Sequence, residues 1–248
     1  MYKIVFLRHG QSVWNRDNRF TGWIDVDLSE QGINEAHDAG KLLKKEGYIF
    51  DLAFQNRLKR VKDTLRIVLD ELGEKDIEVR TSWQLNERHY GALQGLDKAE
   101  TRAKYGEEQF KIWRRGYDAS LPPISKESSM YPGKDPLYAD LKESEIPLSE
   151  NLKDVVARAI PYWNEYVVPE IKNGRNILLV GSGNSMRAIV KHLENISEKD
   201  IVDLNIPTGI PFVYKLDDDM NILSKSYIGD LEEVKKAIEK VANQGKVS

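Results

Sequence analysis

The sequence of 248 residues contains no cysteine, which excludes disulfide bonds, thiolate catalysis and cysteine-based zinc sites. Its four histidines, at positions 9, 37, 89 and 192, do not have the spacing of a metal-binding motif. No apolar run reaches the length of a membrane span, and the apolar start is too short for a signal peptide. The net charge of −3 gives no long-range attraction for nucleic acid. The sequence therefore predicts a cytoplasmic protein without membrane or nucleic-acid partners.

The composition, with 40% hydrophobic and 31% charged residues, is typical of a folded protein large enough to bury a substantial core. Short apolar segments alternate along the chain with segments in which apolar residues recur at helical spacing. This alternation predicts a single α/β domain over residues 1–248, with a mostly parallel sheet and helices on both faces.

The individual elements follow from the same patterns and from their flanking residues. We predict strands at residues 2–7, 51–54, 77–79, 176–180 and 212–216. Ser29 is a typical helix N-cap, and Gly47 and Gly73 are typical helix ends, which predicts helices before each glycine. Further helices are predicted over residues 152–171, with a kink at Pro161, and over residues 186–193 and 231–242.

Two segments differ from this pattern. Residues 117–147 contain most of the prolines and have no clear period, which predicts a long insertion that is ordered by the core it covers. The charged terminal segment, at about residues 231–248, is predicted to form a mobile tail.

Ligands of parallel α/β sheets bind beyond the carboxyl ends of the strands, where two loops of this chain are predicted to meet. One loop contains Arg8, His9 and Gly10 and the other is residues 181–184. Arginine offers a planar fork for phosphate, and a neutral imidazole can attack phosphorus. From the tripeptide alone, a structural histidine at a strand end is the more frequent case.

Longer motifs extend the evidence beyond this tripeptide. They lie at residues 7–15, 18–23, 28–32, 85–95, 105–108, 113–115 and 204–211, with Lys98 between them. With these motifs the chain resembles the histidine phosphatase superfamily, and specifically its phosphoglycerate mutase branch. The resemblance covers essentially the whole chain, including the long insertion.

The resemblance implies interconversion of 3-phosphoglycerate and 2-phosphoglycerate in glycolysis and gluconeogenesis through a phosphohistidine at His9. Glu87 would be the general acid and base, although in an unknown context it would be an ion-pair partner of Arg88. The implied cofactor is 2,3-bisphosphoglycerate, which primes His9, and no metal is needed. The implied assembly is a homodimer or homotetramer.

The resemblance also implies a substrate-binding set that converges on phosphate and carboxylate groups, although a single arginine is more often a solvated surface group. These residues are Arg8, Asn15, Thr21, Gly22, Arg60, Arg88, His89, Tyr90, Lys98, Arg114, Arg115, Gly183 and Asn184.

Two departures from the family pattern affect the expected activity. Ser182 occupies the position of the second catalytic histidine in the family motif Ala-His-Gly-Asn-Ser, and it is predicted here as a catalytic position. Gln55 and Asn56 occupy positions where the family has Thr-Ser. Loss of one preorganised donor at a transferring group costs about 10²–10³ in rate.

Three explanations of these departures stay open at the level of sequence. The chain is an impaired mutase, a paralogue that only binds phosphoglycerates or partners, or a sequence from which the histidine was removed on purpose. A phosphatase that acts on phosphoglycerates is the alternative within enzymes. The long insertion and the terminal segment argue against that phosphatase, because both could exclude water from the site.

Overall fold

The structure is a computed structural model that describes residues 1–243, and within them one mixed sheet of six strands forms the centre of the fold. The strands are β1 (Tyr2–Arg8), β2 (Leu52–Gln55), β3 (Glu78–Thr81), β4 (Ile177–Gly181), β5 (Phe212–Leu216) and β6 (Ile222–Tyr227). Their order across the sheet is β3-β2-β4-β1-β5-β6. Strands β1 to β4 are parallel, whereas β5 pairs antiparallel with both β1 and β6. The predicted α/β class with a mostly parallel sheet is confirmed.

Helices pack on both faces of this sheet. They are α1 (Val13–Arg16), α2 (Glu30–Lys45), α3 (Lys59–Leu72), α4 (Lys98–Tyr105), α5 (Glu107–Arg115), α6 (Leu152–Tyr162), α7 (Val168–Lys172), α8 (Gly183–Leu193) and α9 (Leu231–Asn243). No helix within residues 1–243 combines the length and hydrophobicity that a membrane crossing requires.

The central strand β1 shows why the sheet is covered on both sides. Val5 and Leu7 pack with apolar residues of α2 and α3, whereas Ile4 and Phe6 pack with residues of α6 and α8. All four side chains are at most 2% exposed. Because burial of each such side chain contributes roughly 1.5–3 kcal/mol, the strand is held rigidly and fixes the backbone of the loop that follows it.

The ends of two helices follow from the sequence as predicted. The Ser29 hydroxyl accepts a hydrogen bond from the backbone N–H of Gly32 and begins α2. Gly73 ends α3 with a φ of 81°, a left-handed conformation that glycine adopts without strain.

The predicted helix over residues 152–171 is divided into α6 and α7 by a π-helical turn, Trp163–Val167. Pro161 lies at the end of α6 and Pro169 at the start of α7. Neither proline can donate a backbone hydrogen bond, so the series of helical backbone hydrogen bonds is interrupted at both ends of the π-helical turn. The structure therefore shows a bulge between two prolines where the sequence predicts a simple kink.

The insertion at residues 117–147 contains three short 3₁₀ turns, Pro132–Lys134, Pro136–Tyr138 and Glu143–Glu145. Tyr138 is buried, its ring lies 4.8 Å from that of Trp23, and its hydroxyl accepts a hydrogen bond from Asn86 Nδ2 at 3.0 Å. These contacts attach the insertion to the segments that form the site.

The carboxyl-terminal part contains a strand that the sequence analysis missed. Strand β6 pairs with β5 at the edge of the sheet, and its polar, half-exposed residues lack the apolar pattern that identified the other strands. Helix α9 is amphipathic, with Val234 and Val241 buried. Mobility of the terminal segment stays a prediction, and its last part, residues 244–248, lies outside the described residues.

Candidate active site

The carboxyl ends of β1 and β4 meet at one edge of the sheet, as predicted. Arg8 and Gly181 are partners in the parallel register, and the His9 N–H donates a hydrogen bond to the Gly181 carbonyl at 3.1 Å. Helix α8 begins directly after β4, so its first residues, Gly183 and Asn184, face the loop that carries His9.

A pocket that is open to solvent lies at this edge. The predicted site residues that line it are Arg8, His9, Asn15, Thr21, Gly22, Arg60, Glu87, Tyr90, Lys98, Arg114, Arg115, Gly183 and Asn184. The structure thus brings together residues that are scattered between positions 8 and 184. It does not bring Arg88, His89 or Ser182 to the pocket surface.

His9 is held as a neutral imidazole. Its Nδ1 lies 2.7 Å from the Gly10 carbonyl oxygen, which can only accept, so Nδ1 carries the proton and Nε2 carries the lone pair. Burial, together with the charges of Arg60 and Arg8, lowers the pKa of His9 well below its usual value. Nε2 is the ring nitrogen available for attack on phosphorus, and Arg60 Nε lies 3.4 Å from it.

Glu87 lies in the same pocket, and its two oxygens have different surroundings. Oε1 accepts hydrogen bonds from the backbone N–H of Arg88 at 2.7 Å, from Asn184 Nδ2 at 2.6 Å and from the Asn184 N–H at 3.2 Å. Among residues 1–243, Oε2 has only the Asn184 N–H, at 3.4 Å. Oε2 is therefore the oxygen with free capacity to accept a proton.

The pocket is strongly cationic. Its cationic lining residues are Arg8, Arg19, Arg60, Lys98, Arg114, Arg115 and Arg187, whereas Glu87 is the one acidic lining residue in the described part of the chain. Burial, reinforced by neighbouring arginines, lowers the pKa of Lys98 to about 7 and the pKa of both Arg114 and Arg187 to about 10. A ligand with several negative charges would relieve this repulsion.

Arg88 and His89 lie behind the wall of the pocket and hold it in shape. Arg88 Nη2 donates to the carbonyls of Trp113 and Arg114, and its guanidinium lies 4.4 Å from the centre of the Tyr90 ring. His89 Nδ1 accepts from the Gly91 N–H at 3.0 Å. Burial, with the nearby charge of Arg158, lowers the pKa of His89 to about 3. Both side chains are fully buried and do not line the pocket, so they support its wall from behind.

Ser182 also lies outside the pocket surface, because its hydroxyl faces Asn56. Asn56 Nδ2 donates to Ser182 Oγ and to the Leu85 carbonyl, both at 3.0 Å, and Asn56 Oδ1 accepts from the Leu58 N–H. Asn56 and Ser182 are both fully buried at the ends of the neighbouring strands β2 and β4. One residue of each departure from the family pattern therefore belongs to the same buried pair, with a larger side chain after β2 and a smaller one after β4.

Helix α9 contributes a wall that the sequence analysis did not assign to the pocket. The Val241 carbonyl accepts hydrogen bonds from Arg114 Nη2 at 2.8 Å and Arg115 Nη2 at 3.5 Å, and Val241 lines the pocket. Nothing in the local sequence identifies Val241 as a pocket residue.

Arg187 also lines the pocket and was absent from the predicted set. Its position could have been predicted, because it lies one helical turn after Asn184 and that spacing places both residues on one face of α8.

The fold and the site define the class of the protein. Residues 4–132 match the model of the histidine phosphatase superfamily, branch 1, and the chain belongs to this superfamily. It is 54% identical over 249 residues to a 2,3-bisphosphoglycerate-dependent phosphoglycerate mutase of Borreliella afzelii, with 100% of both chains covered.

Solved structures with lower identity share the fold. A mycobacterial glucosyl-3-phosphoglycerate phosphatase has a TM-score of 0.69 at 23% identity, with 93% of this chain and 99% of that chain covered. A phosphoglycerate mutase from Bacillus anthracis has a TM-score of 0.63 at 19% identity, with 95% and 96% covered. At these identities the likeness shows the fold alone.

Proposed function

We propose that this chain interconverts 3-phosphoglycerate and 2-phosphoglycerate, as the resemblance implies, by phosphoryl transfer through His9 Nε2. The observation that carries the proposal is a neutral, buried histidine that shares a cationic pocket with one carboxylate, Glu87. The full-length match to a phosphoglycerate mutase supports the substrate class. These substrates are compounds of glycolysis and gluconeogenesis, and the proposed location is the cytoplasm.

In the proposed reaction, the bond between phosphorus and His9 Nε2 breaks while the substrate hydroxyl forms its bond to phosphorus. The hydroxyl proton passes to Glu87 Oε2, the oxygen with free capacity. In the reverse step Glu87 returns the proton and His9 regains the phosphoryl group from the other position. Arg8 and Arg60 lie next to His9 and stabilise the charge on the moving group.

The site fits a bisphosphorylated cofactor, since several buried donors in it have no partner among residues 1–243. They are Arg8 Nε, Arg187 Nε and Thr21 Oγ1. When bound, 2,3-bisphosphoglycerate supplies the phosphoryl group that primes His9. Lys98 and Arg115 would hold its other anionic groups. No group of three or more metal-ligating side chains is placed together in residues 1–243.

The buried Asn56–Ser182 pair supports reduced turnover rather than loss of chemistry. His9 and Glu87 keep the arrangement that the reaction needs, which favours the impaired enzyme over the binding-only paralogue. The hydroxyl of Ser182 faces Asn56 and does not reach the pocket surface, so a donor to the phosphoryl oxygens is missing.

The hydrogen bonds from Arg114 and Arg115 to the Val241 carbonyl hold α9 against the pocket. This contact favours mutase over phosphatase chemistry, because α9 then restricts access of water to the pocket. ³¹P NMR of the purified protein with 3-phosphoglycerate and 2,3-bisphosphoglycerate tests this choice. We expect 2-phosphoglycerate as the main product. Free phosphate as the main product would establish the phosphatase. Binding of the ligand without formation of any product would establish the binding-only protein.

We predict that 3-phosphoglycerate stabilises the fold. At a concentration 100-fold above Kd, binding adds about 2.7 kcal/mol to the free energy of unfolding, which raises Tm by roughly 5–10 °C for a chain of this size. Calorimetric melting measures the shift. Arg115→Met should remove most of it, whereas Lys111→Met, which changes an exposed residue of the same helix, should retain it. An equal rise in Tm in both variants would show that the anion does not bind at Arg115.

We also predict that ligand binding takes up a proton at Lys98. Its pKa of about 7 in the free protein leaves the amine mostly neutral at about pH 8, and a bound anion raises this pKa. The contribution of Lys98 to binding is therefore complete below about pH 7 and decreases as the pH rises above that value. Calorimetry in two buffers with different ionisation enthalpies measures the uptake. Lys98→Met should abolish the buffer dependence, and its persistence in that variant would contradict the assignment.

The predicted homodimer or homotetramer is a separate proposal, which rests on the family resemblance. Light scattering coupled to gel filtration measures the mass in solution. A monomer at micromolar concentration would contradict it.

A further inference from the structure

Arg187 is a buried arginine of α8 to which the family resemblance gave no role. Its Nη1 donates to Asn184 Oδ1 and its Nη2 to the Ile201 carbonyl, both at 2.7 Å, and the side chain is 3% exposed. Neither of these two partners is a carboxylate. A charged side chain is therefore buried in order to hold a neutral amide and a backbone carbonyl.

This contact decides which way the Asn184 amide points. Arginine has donors only, so it selects the amide oxygen and turns the Asn184 NH₂ group towards Glu87 and Tyr90. Asn184 Nδ2 lies 2.6 Å from Glu87 Oε1 and 3.1 Å from Tyr90 Oη. In the flipped orientation, the amide oxygen would face the carboxylate and repel it.

We propose that Arg187 is the positioning residue for proton transfer at Glu87. By holding Asn184 Oδ1, it commits Asn184 Nδ2 to Glu87 Oε1 and leaves Oε2 as the oxygen that accepts and returns the substrate proton. The inference rests on the proposed function, because it assigns Glu87 the role of general acid and base.

The direct effect of the Arg187 charge on Glu87 must be separated from its effect through the position of Asn184, because several cations surround Glu87. The charges of Arg8, Arg60 and Arg187 all interact with its carboxylate, and they come from β1, α3 and α8. Tyr90 Oη accepts a hydrogen bond from the same Asn184 amide group that binds Glu87. Loss of the Arg187 charge would affect Glu87 with or without the Asn184 side chain, whereas an effect through positioning requires that side chain.

The test is the chemical shift of the Glu87 carboxyl carbon at about pH 8, by NMR of protein labelled with ¹³C at glutamate side-chain carboxyl groups, with Glu87→Gln to assign the resonance. Arg187→Met should move this resonance by more than its line width, because Asn184 Nδ2 is then no longer held against Glu87 Oε1. Lys191→Met, which removes a cation of the same helix that binds the Ile196 carbonyl, should leave it unchanged.

A double-mutant cycle then identifies the route. In an Asn184→Ala background, Arg187→Met should shift the Glu87 resonance by less than half as much as in the native background. Arg187→Lys keeps the charge but loses the planar fork, so we expect a smaller shift in the same direction that vanishes with Asn184→Ala. This variant decides the matter if Arg187→Met does not fold.

Equal shifts in both backgrounds would show a charge effect alone, and no shift in either arginine variant would show that Arg187 does not act on Glu87. Both results overturn the inference. The NMR measurement needs no turnover. An inactive protein with the expected shifts would therefore overturn the proposed function, whereas an active protein without them would overturn the inference alone.

Discussion

A double replacement, Asn56→Ser with Ser182→His, is expected to raise phosphoglycerate mutase turnover by about 10²–10³-fold. Serine at position 56 vacates the space beside β4 that the asparagine side chain takes, and histidine at position 182 then has room to turn towards His9. It supplies the missing donor to the phosphoryl oxygens. Production of 2-phosphoglycerate, followed through a coupled enolase reaction, measures the gain.

The single variants test the coupling of the pair. Ser182→His alone places an imidazole against the fully buried Asn56, so we expect a smaller gain and an overpacking cost of about 1–3 kcal/mol in the free energy of unfolding. Gln55→Thr serves as the matched control for position 56, because Gln55 Nε2 donates to Thr81 Oγ1 rather than to Ser182. Combined with Ser182→His, it should add nothing. A double variant that is no faster than the native chain would show that the defect lies elsewhere.

His9→Asn is expected to lower turnover by more than about 10⁴-fold while leaving the pocket assembled. The asparagine NH₂ group can still donate to the Gly10 carbonyl, as His9 Nδ1 does, but the chain then lacks the nucleophilic Nε2. The cations that bind the ligand are unchanged, so Kd for 3-phosphoglycerate should change by only a few-fold. Steady-state kinetics and calorimetry measure the two quantities.

The exposed His192 provides the control for His9, since His192→Asn makes the same chemical change on the surface of α8. It should retain native turnover. Residual turnover within about 10-fold of native in His9→Asn would mean that phosphoryl transfer does not pass through this residue.

The sequence was sufficient to predict the sheet strands that are covered on both faces and the residues at their ends. Strand β4 is a short apolar run and β1 contains one at residues 4–7, and a run of that kind is typical of a buried parallel strand. His9 follows β1 directly and Asn184 lies three residues after the end of β4, so their meeting at one edge is a consequence of topology. The edge strand β6 has no such run, and only its pairing with β5 makes it a strand.

The pairing of Asn56 with Ser182 could not be read from the sequence, because the two residues are 126 positions apart and each looks like an isolated departure. Only the adjacency of β2 and β4 makes them one hydrogen-bonded pair. The same holds for Arg88 and His89, whose position within a motif does not say whether they face the pocket or support it. Burial decides this, and burial depends on the tertiary fold.

Phosphorylation of His9 is tested most directly by the intact mass of the protein after incubation with 2,3-bisphosphoglycerate. The native chain should gain one phosphoryl group, which is lost in acid as expected for a phosphohistidine, and His9→Asn should gain none. His192→Asn should gain the group as the native chain does. A native chain that binds the compound but never gains the group, or His9→Asn that still does, would contradict phosphoryl transfer through His9.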